Sequence, residues 1–178
     1  PYKAVGETIK QRWVMAFGGG YGGGASSGFG PHVFVLDFEP DTTSVPNTTG
    51  GKIISQQAIT PDPTSNIPNG VTAHLSAVTA DGTSLADYFG GIAYFTDLQG
   101  QLWKYNLSKN TLDDDNTNLF ELNLAFQAKG TLANDRFGFN QVATTVVQND
   151  VGDDVSIFNY FGTGDQSRIQ RRISSIKM

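Results

Sequence analysis

Cysteine is absent from this chain. Disulfides, thiolate metal sites and cysteine nucleophiles are therefore excluded together, while cytoplasm, periplasm and cell surface all remain open. No apolar run approaches the ~20 residues of a membrane-spanning helix, so stable membrane insertion is not expected. Basic residues are the minority charge, 12 Lys and Arg against 17 Asp and Glu, for a net charge of −5. Nucleic acid calls for a basic stripe, so it is not an expected partner. No signal peptide is recognisable. The chain opens on Pro1 rather than Met, so its true N-terminus is expected elsewhere and the missing signal decides nothing about localisation. Leu- and Ala-rich helical runs are missing too.

What is abundant is glycine, 21 of 178 residues, against a usual share of roughly 7%. Asp, Asn, Ser and Thr accompany it, the profile of short strands joined by turns. "WVMAF" at 13–17 reads as a strand buried on both faces. A glycine tract follows at 18–30, then "PHVFVLDFE", with Pro31 near the strand start where a missing N–H does least harm. "KIISQQAI" at 52–59 is a further strand, and a Pro-rich connection at 60–70 closes a first unit, 1–70. A second unit, 71–137, holds "GGIAYFTD" as a buried strand, the turn "LQG", and "QLWKYNL". In that last stretch Trp103, Tyr105 and Leu107 point one way and Lys104 and Asn106 the other. "LFELNLAF" repeats the alternation, with Phe120, Leu122, Leu124 and Phe126 expected on one face. A third unit, 138–178, contains "QVATTVVQND" and "VSIFNYFG".

The units share a theme: an apolar strand with a Phe near its end, then a Gly/Asp turn. The three stretches are "MAFGGGYGG", "AYFTDLQGQ" and "NYFGTGDQS". Recurrent antiparallel units of three or four strands predict an all-β β-propeller, with long insertions because the spacing exceeds the usual ~40–50 residues per blade.

"WVMAFGGGY" at 13–21, "DLQGQLWKYNLS" at 97–108 and "FGTGD" at 161–165 together resemble the C-terminal domain of the PilY/PilC family. These are type IV pilus biogenesis factors and tip-associated adhesins of Gram-negative bacteria. The resemblance implies a quinoprotein-like propeller of which this chain covers about three blades, cut at both ends. It implies no enzyme activity. It further implies export through the periplasm to the pilus tip, cell surface or outer membrane, with pilins, a host or abiotic surface, and the rest of its own propeller as partners. The family often carries a calcium loop between the first two strands of a blade. Here that loop reads "VTADGTSLADYFGG", where Asp81 and Asp87 are the expected metal ligands. Calcium takes six to eight oxygens, so two carboxylates make this a weak site beside an ordinary Asp-Gly turn.

Other patterns carry less. "GGGYGG" satisfies a dinucleotide fingerprint in spacing, but Gly, Ser and another strand follow where a helix is needed. "GASSG" around Ser26 has the spacing of a nucleophile elbow, yet His32 is only six residues on, in the next strand, and His74 has no evident orienter. "DDDNTN" at 113–118 alternates oxygen ligands, with a solvated acidic turn as the default reading. Trp13 and Trp103 suggest blade-to-blade packing, or stacking residues of a quinone-dependent propeller dehydrogenase, the main competing function. A scaffolding propeller of the periplasm or outer membrane is the third. Ile169, Ile173 and Ile176 recur at helical spacing among Arg and Lys, fitting either a docking segment or an insertion.

Overall fold

A computed structural model describes residues 13–22, 30–39, 50–78, 91–108, 119–131, 133–134, 136–148 and 155–164. Among these residues the chain is all β and contains no helix. Nine strands form three antiparallel sheets in which sequence neighbours are also sheet neighbours. Sheet 1 comprises β1 (Val14–Gly19), β2 (Gly30–Asp37) and β3 (Lys52–Ala58). Sheet 2 comprises β4 (Ser76–Val78), β5 (Ile92–Thr96), β6 (Gln101–Asn106) and β7 (Leu122–Gln127). Sheet 3 pairs β8 (Ala143–Gln148) with β9 (Val155–Tyr160).

Period-two side-chain alternation lets sheet 2 present two apolar faces. Ala93, Phe95, Trp103 and Tyr105 face sheet 1 and pack with Val33, Val35, Ile59 and Val71. Tyr94 and Leu102 occupy the opposite face and pack with Val142, Ile157 and Phe161 of the third unit. Sheet 2 is thus sandwiched between the sheets that precede and follow it in the chain. The sheet 1 side holds the larger core, in which Phe95 and Tyr105 are fully buried. Each such side chain contributes about 1.5–3 kcal/mol relative to exposure. Tyr105 also reaches across the layers to donate from its hydroxyl to Ser55 Oγ at 2.8 Å.

Three expectations need correction or refinement. The "WVMAF" strand is not buried on both faces. β1 lies at the end of the sheet 1 order, where Val14 and Ala16 face the core while Trp13 and Met15 are exposed at 71% and 41%. Among the described residues no sheet covers Trp13, whereas Trp103 packs between sheets 1 and 2. In β7 the expected single face is split. Leu102 pairs with Phe126 but Trp103 pairs with Leu124, so Ala125 is an extra residue in the ladder. Such a bulge moves the following side chains to the other face. Leu122 accordingly packs toward sheet 1, while Phe126 meets Phe161 on the sheet 3 side, ring centroids 5.8 Å apart. Phe120 precedes the strand in a turn with φ 62° and sits 6.3 Å from the Tyr105 ring.

The glycine tract has a local reason at Gly18. It continues β1, and a Cβ there would run into the side chain and carbonyl of Val71. The first strand of sheet 1 thereby approaches the segment leading into the second unit, and Gly20 N–H donates to Val71 O at 2.9 Å.

Candidate functional site

The densest polar constellation among the described residues is the β5–β6 turn, Asp97-Leu98-Gln99-Gly100. Asp97 N–H bonds Gln101 O at 3.1 Å, and Gly100 N–H bonds Asp97 O at 3.0 Å. Gly100 has φ +72°. That is the three-residue hairpin in which a left-handed glycine closes a type I turn. A side chain at this position would be strained and would also strike the Arg136 carbonyl.

A turn aspartate is ordinarily solvated, but Asp97 is fully buried. Its Oδ1 accepts from Gln101 N–H at 2.9 Å. Its Oδ2 accepts from Trp103 Nε1 at 2.8 Å and from Asn69 Nδ2 at 3.1 Å. In the amide orientation that satisfies both ends of Gln101, that side chain donates to Oδ2 as well, at 2.7 Å, and to Thr60 O at 3.2 Å. Burial pushes the Asp97 carboxyl pKa above its ordinary value, and the bonds from Trp103, Gln101 and Asn69 hold back part of that rise.

Around this carboxylate the units are tied together. Leu98 N–H bonds Gly70 O at 2.9 Å, and Asn69 Oδ1 accepts from Gly70 N–H at 2.8 Å. Gln99 accepts from Asp62 N–H at 2.6 Å and donates to Ile67 O at 2.9 Å. On the other side Thr96 Oγ1 donates to Asn140 O at 3.1 Å, and Gly130 N–H donates to Gln99 O at 2.8 Å. The turn joins the 60–70 connection to residues 128–140, with the hairpin as the common post. Asp62 is a second buried carboxylate. Its Oδ1 accepts from the Thr64 hydroxyl at 2.7 Å and from Thr64 N–H at 2.8 Å. Those two bonds hold its pKa below the ordinary carboxylate value.

An open cleft of about 370 Å³ lies beside this junction, where β7 and β9 end. Its lining includes Phe126 and Phe161 together with Lys129 and Arg136. The remaining sequence candidates do not converge. His32 is buried in sheet 1 with its ring 6.2 Å from that of Phe34, and His74 is exposed. Asp81 and Asp87, Ser26, the acidic stretch 113–118 and the basic segment 167–178 lie outside the described residues. Among the described residues no group of three or more His, Asp or Glu is placed to hold a metal ion. Both oxygens of Asp97 are occupied by protein donors, whereas Asp62 Oδ2 is buried without a hydrogen-bond partner. The sequence marked Asp97 as a turn residue. The signal that it is more was Trp103 six positions on, whose indole N–H needs an acceptor when buried.

No family model, curated protein or solved structure matches this chain.

Proposed function

We propose that this chain is part of a PilY/PilC-type β-propeller, a non-enzymatic module for type IV pilus assembly and tip-associated attachment at the cell surface. What supports the propeller part is a repeated placement. Phe95 on β5 faces the preceding sheet, and Phe161, just after β9, packs toward sheet 2, again the preceding one. Phe17 on β1 points away from sheet 2 and stacks on Phe34 at 5.4 Å. It thus occupies the face that a preceding blade would cover. Consecutive four-strand meanders stacked through their faces are how propeller blades succeed one another, and the meander β4–β7 has that form. The pilus part is supported by the sequence resemblance alone.

In this reading Asp81 and Asp87 contribute to a calcium loop between β4 and β5, and pilins and an attachment surface are the partners. Deleting the coding region in the source bacterium is expected to reduce surface piliation and attachment, measured on sheared pili and by adherent cell counts. Unchanged piliation and attachment would refute it. Dye-linked alcohol oxidation on addition of pyrroloquinoline quinone would replace it with the dehydrogenase reading.

A further inference from the structure

We propose that the cleft at the ends of β7 and β9 binds a carboxylate carried on an aromatic or similarly apolar body. Four basic residues are described in this acidic chain, Lys52, Lys104, Lys129 and Arg136, and two of them line this one cleft. Among the described residues no acidic side chain lines it, and the charge of one described carboxylate, Asp62, interacts with Lys129. In the same lining Phe126 and Phe161 meet edge to face, 63° between ring planes, and Phe126 is 53% exposed. An exposed phenyl face or edge attracts a further aromatic ring in an offset or edge-on arrangement. Gln127 and Thr163 add an amide and a hydroxyl to the lining. Lys129 supplies a point charge and Arg136 a planar fork suited to two carboxylate oxygens.

The backbone that carries the two cations is tied down, and Arg136 Nη1 donates to Ala128 O at 3.4 Å. Ala128 N–H bonds Gly100 O at 2.9 Å, and Asn134 Nδ2 bonds Lys129 O at 2.7 Å. Asn134 Oδ1 accepts from Thr131 N–H at 2.9 Å and from Arg136 N–H at 3.1 Å, closing the loop that carries both cations. Lys129 itself has φ 56°, a conformation uncommon for a residue with a side chain and concentrated at functional positions. A fully hydrated anion such as phosphate would leave the phenyl wall unused, which is why the apolar body belongs to the assignment. The carboxylate can come from a free aromatic acid or from the terminus of a peptide ending in an aromatic residue.

This inference is independent of the pilus reading. The test is an amide NMR titration of the protein with 2-naphthoate, 2-naphthamide, N-acetylphenylalanine and inorganic phosphate. Saturable shifts are expected at 127–130, 136–138 and 161–164 with the two carboxylates, and whichever binds tighter identifies the source. Lys129→Gly suits the backbone at that position and Arg136→Gln keeps a polar side chain. Each is expected to weaken 2-naphthoate about five- to tenfold, the effect of losing one charge-assisted contact. The proposal is overturned if 2-naphthamide or phosphate binds as tightly as 2-naphthoate, if the shifts map elsewhere, or if both variants bind within twofold of the parent.

Discussion

Removing the Asp97 carboxylate tests whether the polar junction holds the units together. In Asp97→Ala the indole N–H of Trp103, the amide of Asn69 and the backbone N–H of Gln101 lose their acceptor. A buried donor left unmatched costs about 1–3 kcal/mol. Three such losses are offset in part because a desolvated charge disappears as well, so a net loss of about 2–4 kcal/mol is expected. That is a large fraction of the 5–15 kcal/mol typical of a domain. Trp103→Phe removes the indole N–H and some volume. A double-mutant cycle cancels the volume term and isolates the Asp97–Trp103 bond, for which a coupling of about 1.5–3 kcal/mol is expected. Urea unfolding followed by circular dichroism is the assay, because Trp103 cannot serve as its own reporter. A coupling below about 0.5 kcal/mol, the ordinary error of additivity, would refute the idea that this hydrogen bond carries the junction. The pH dependence has a fixed sign. Burial raises the folded-state pKa of Asp97, so the folded chain holds this proton more tightly than the unfolded one. The associated stability is complete below about pH 4 and is lost as pH rises through the raised pKa. Asp97→Asn should abolish that decline even though it loses hydrogen bonds at every pH.

Other outcomes follow from the same contacts. Asp62 has the opposite sign: its pKa is lowered chiefly by the Thr64 hydroxyl, so its contribution is present above about pH 4 and fades as pH falls through the lowered value. Thr64→Val should shrink this acid-side loss in a pH series of urea midpoints. Gly100→Ala is expected to cost about 2 kcal/mol or more, because strain at φ +72° combines with a clash against the Arg136 carbonyl. An unchanged melting temperature would contradict the turn geometry. Tyr105→Phe should cost about 1 kcal/mol through the lost bond to Ser55, and Ser55→Ala added to it should cost little more. If Asp81 and Asp87 form a calcium loop, elemental analysis should find bound calcium that Asp81→Ala removes, and no uptake at millimolar calcium would dismiss the site.

The central hairpin was legible because two periodic signals agree there. Alternation placed Trp103, Tyr105 and Leu107 on one side, and all three pack toward sheet 1. The Asp-Leu-Gln-Gly turn likewise has its glycine at positive φ. What periodicity cannot carry is a residue's tertiary environment. Asp97 reads as a solvated turn residue until the 60–70 connection and residues 128–140 close over it, and neither segment has a period of its own. The strand at 13–17 fails for a related reason. A short apolar run is the same string whether or not a layer covers each of its faces, and among the described residues no layer covers the Met15 face of sheet 1, whereas sheet 1 covers Phe95. Asp62 shows no pattern at all, since its burial depends on Gln99, 37 positions away.

Ala125 contributes almost nothing by its own contacts, yet the chain changes sides around it. Because of that one supernumerary residue, a six-residue strand serves two neighbours, its first half leaning on the sheet before and its last half on the sheet after. Register rather than composition therefore decides which sheet Phe126 meets. Pairing Ala125 with Leu102 in an unbroken ladder would turn Phe126 toward sheet 1 and dismantle the phenyl wall of the cleft with Lys129 and Arg136 untouched. Deleting Ala125 would instead set Phe126 directly after Leu124, still opposite Leu102 and still toward sheet 3. Among relatives of this chain, a one-residue gap at this point would mark a straightened strand that keeps the aromatic half of the cleft.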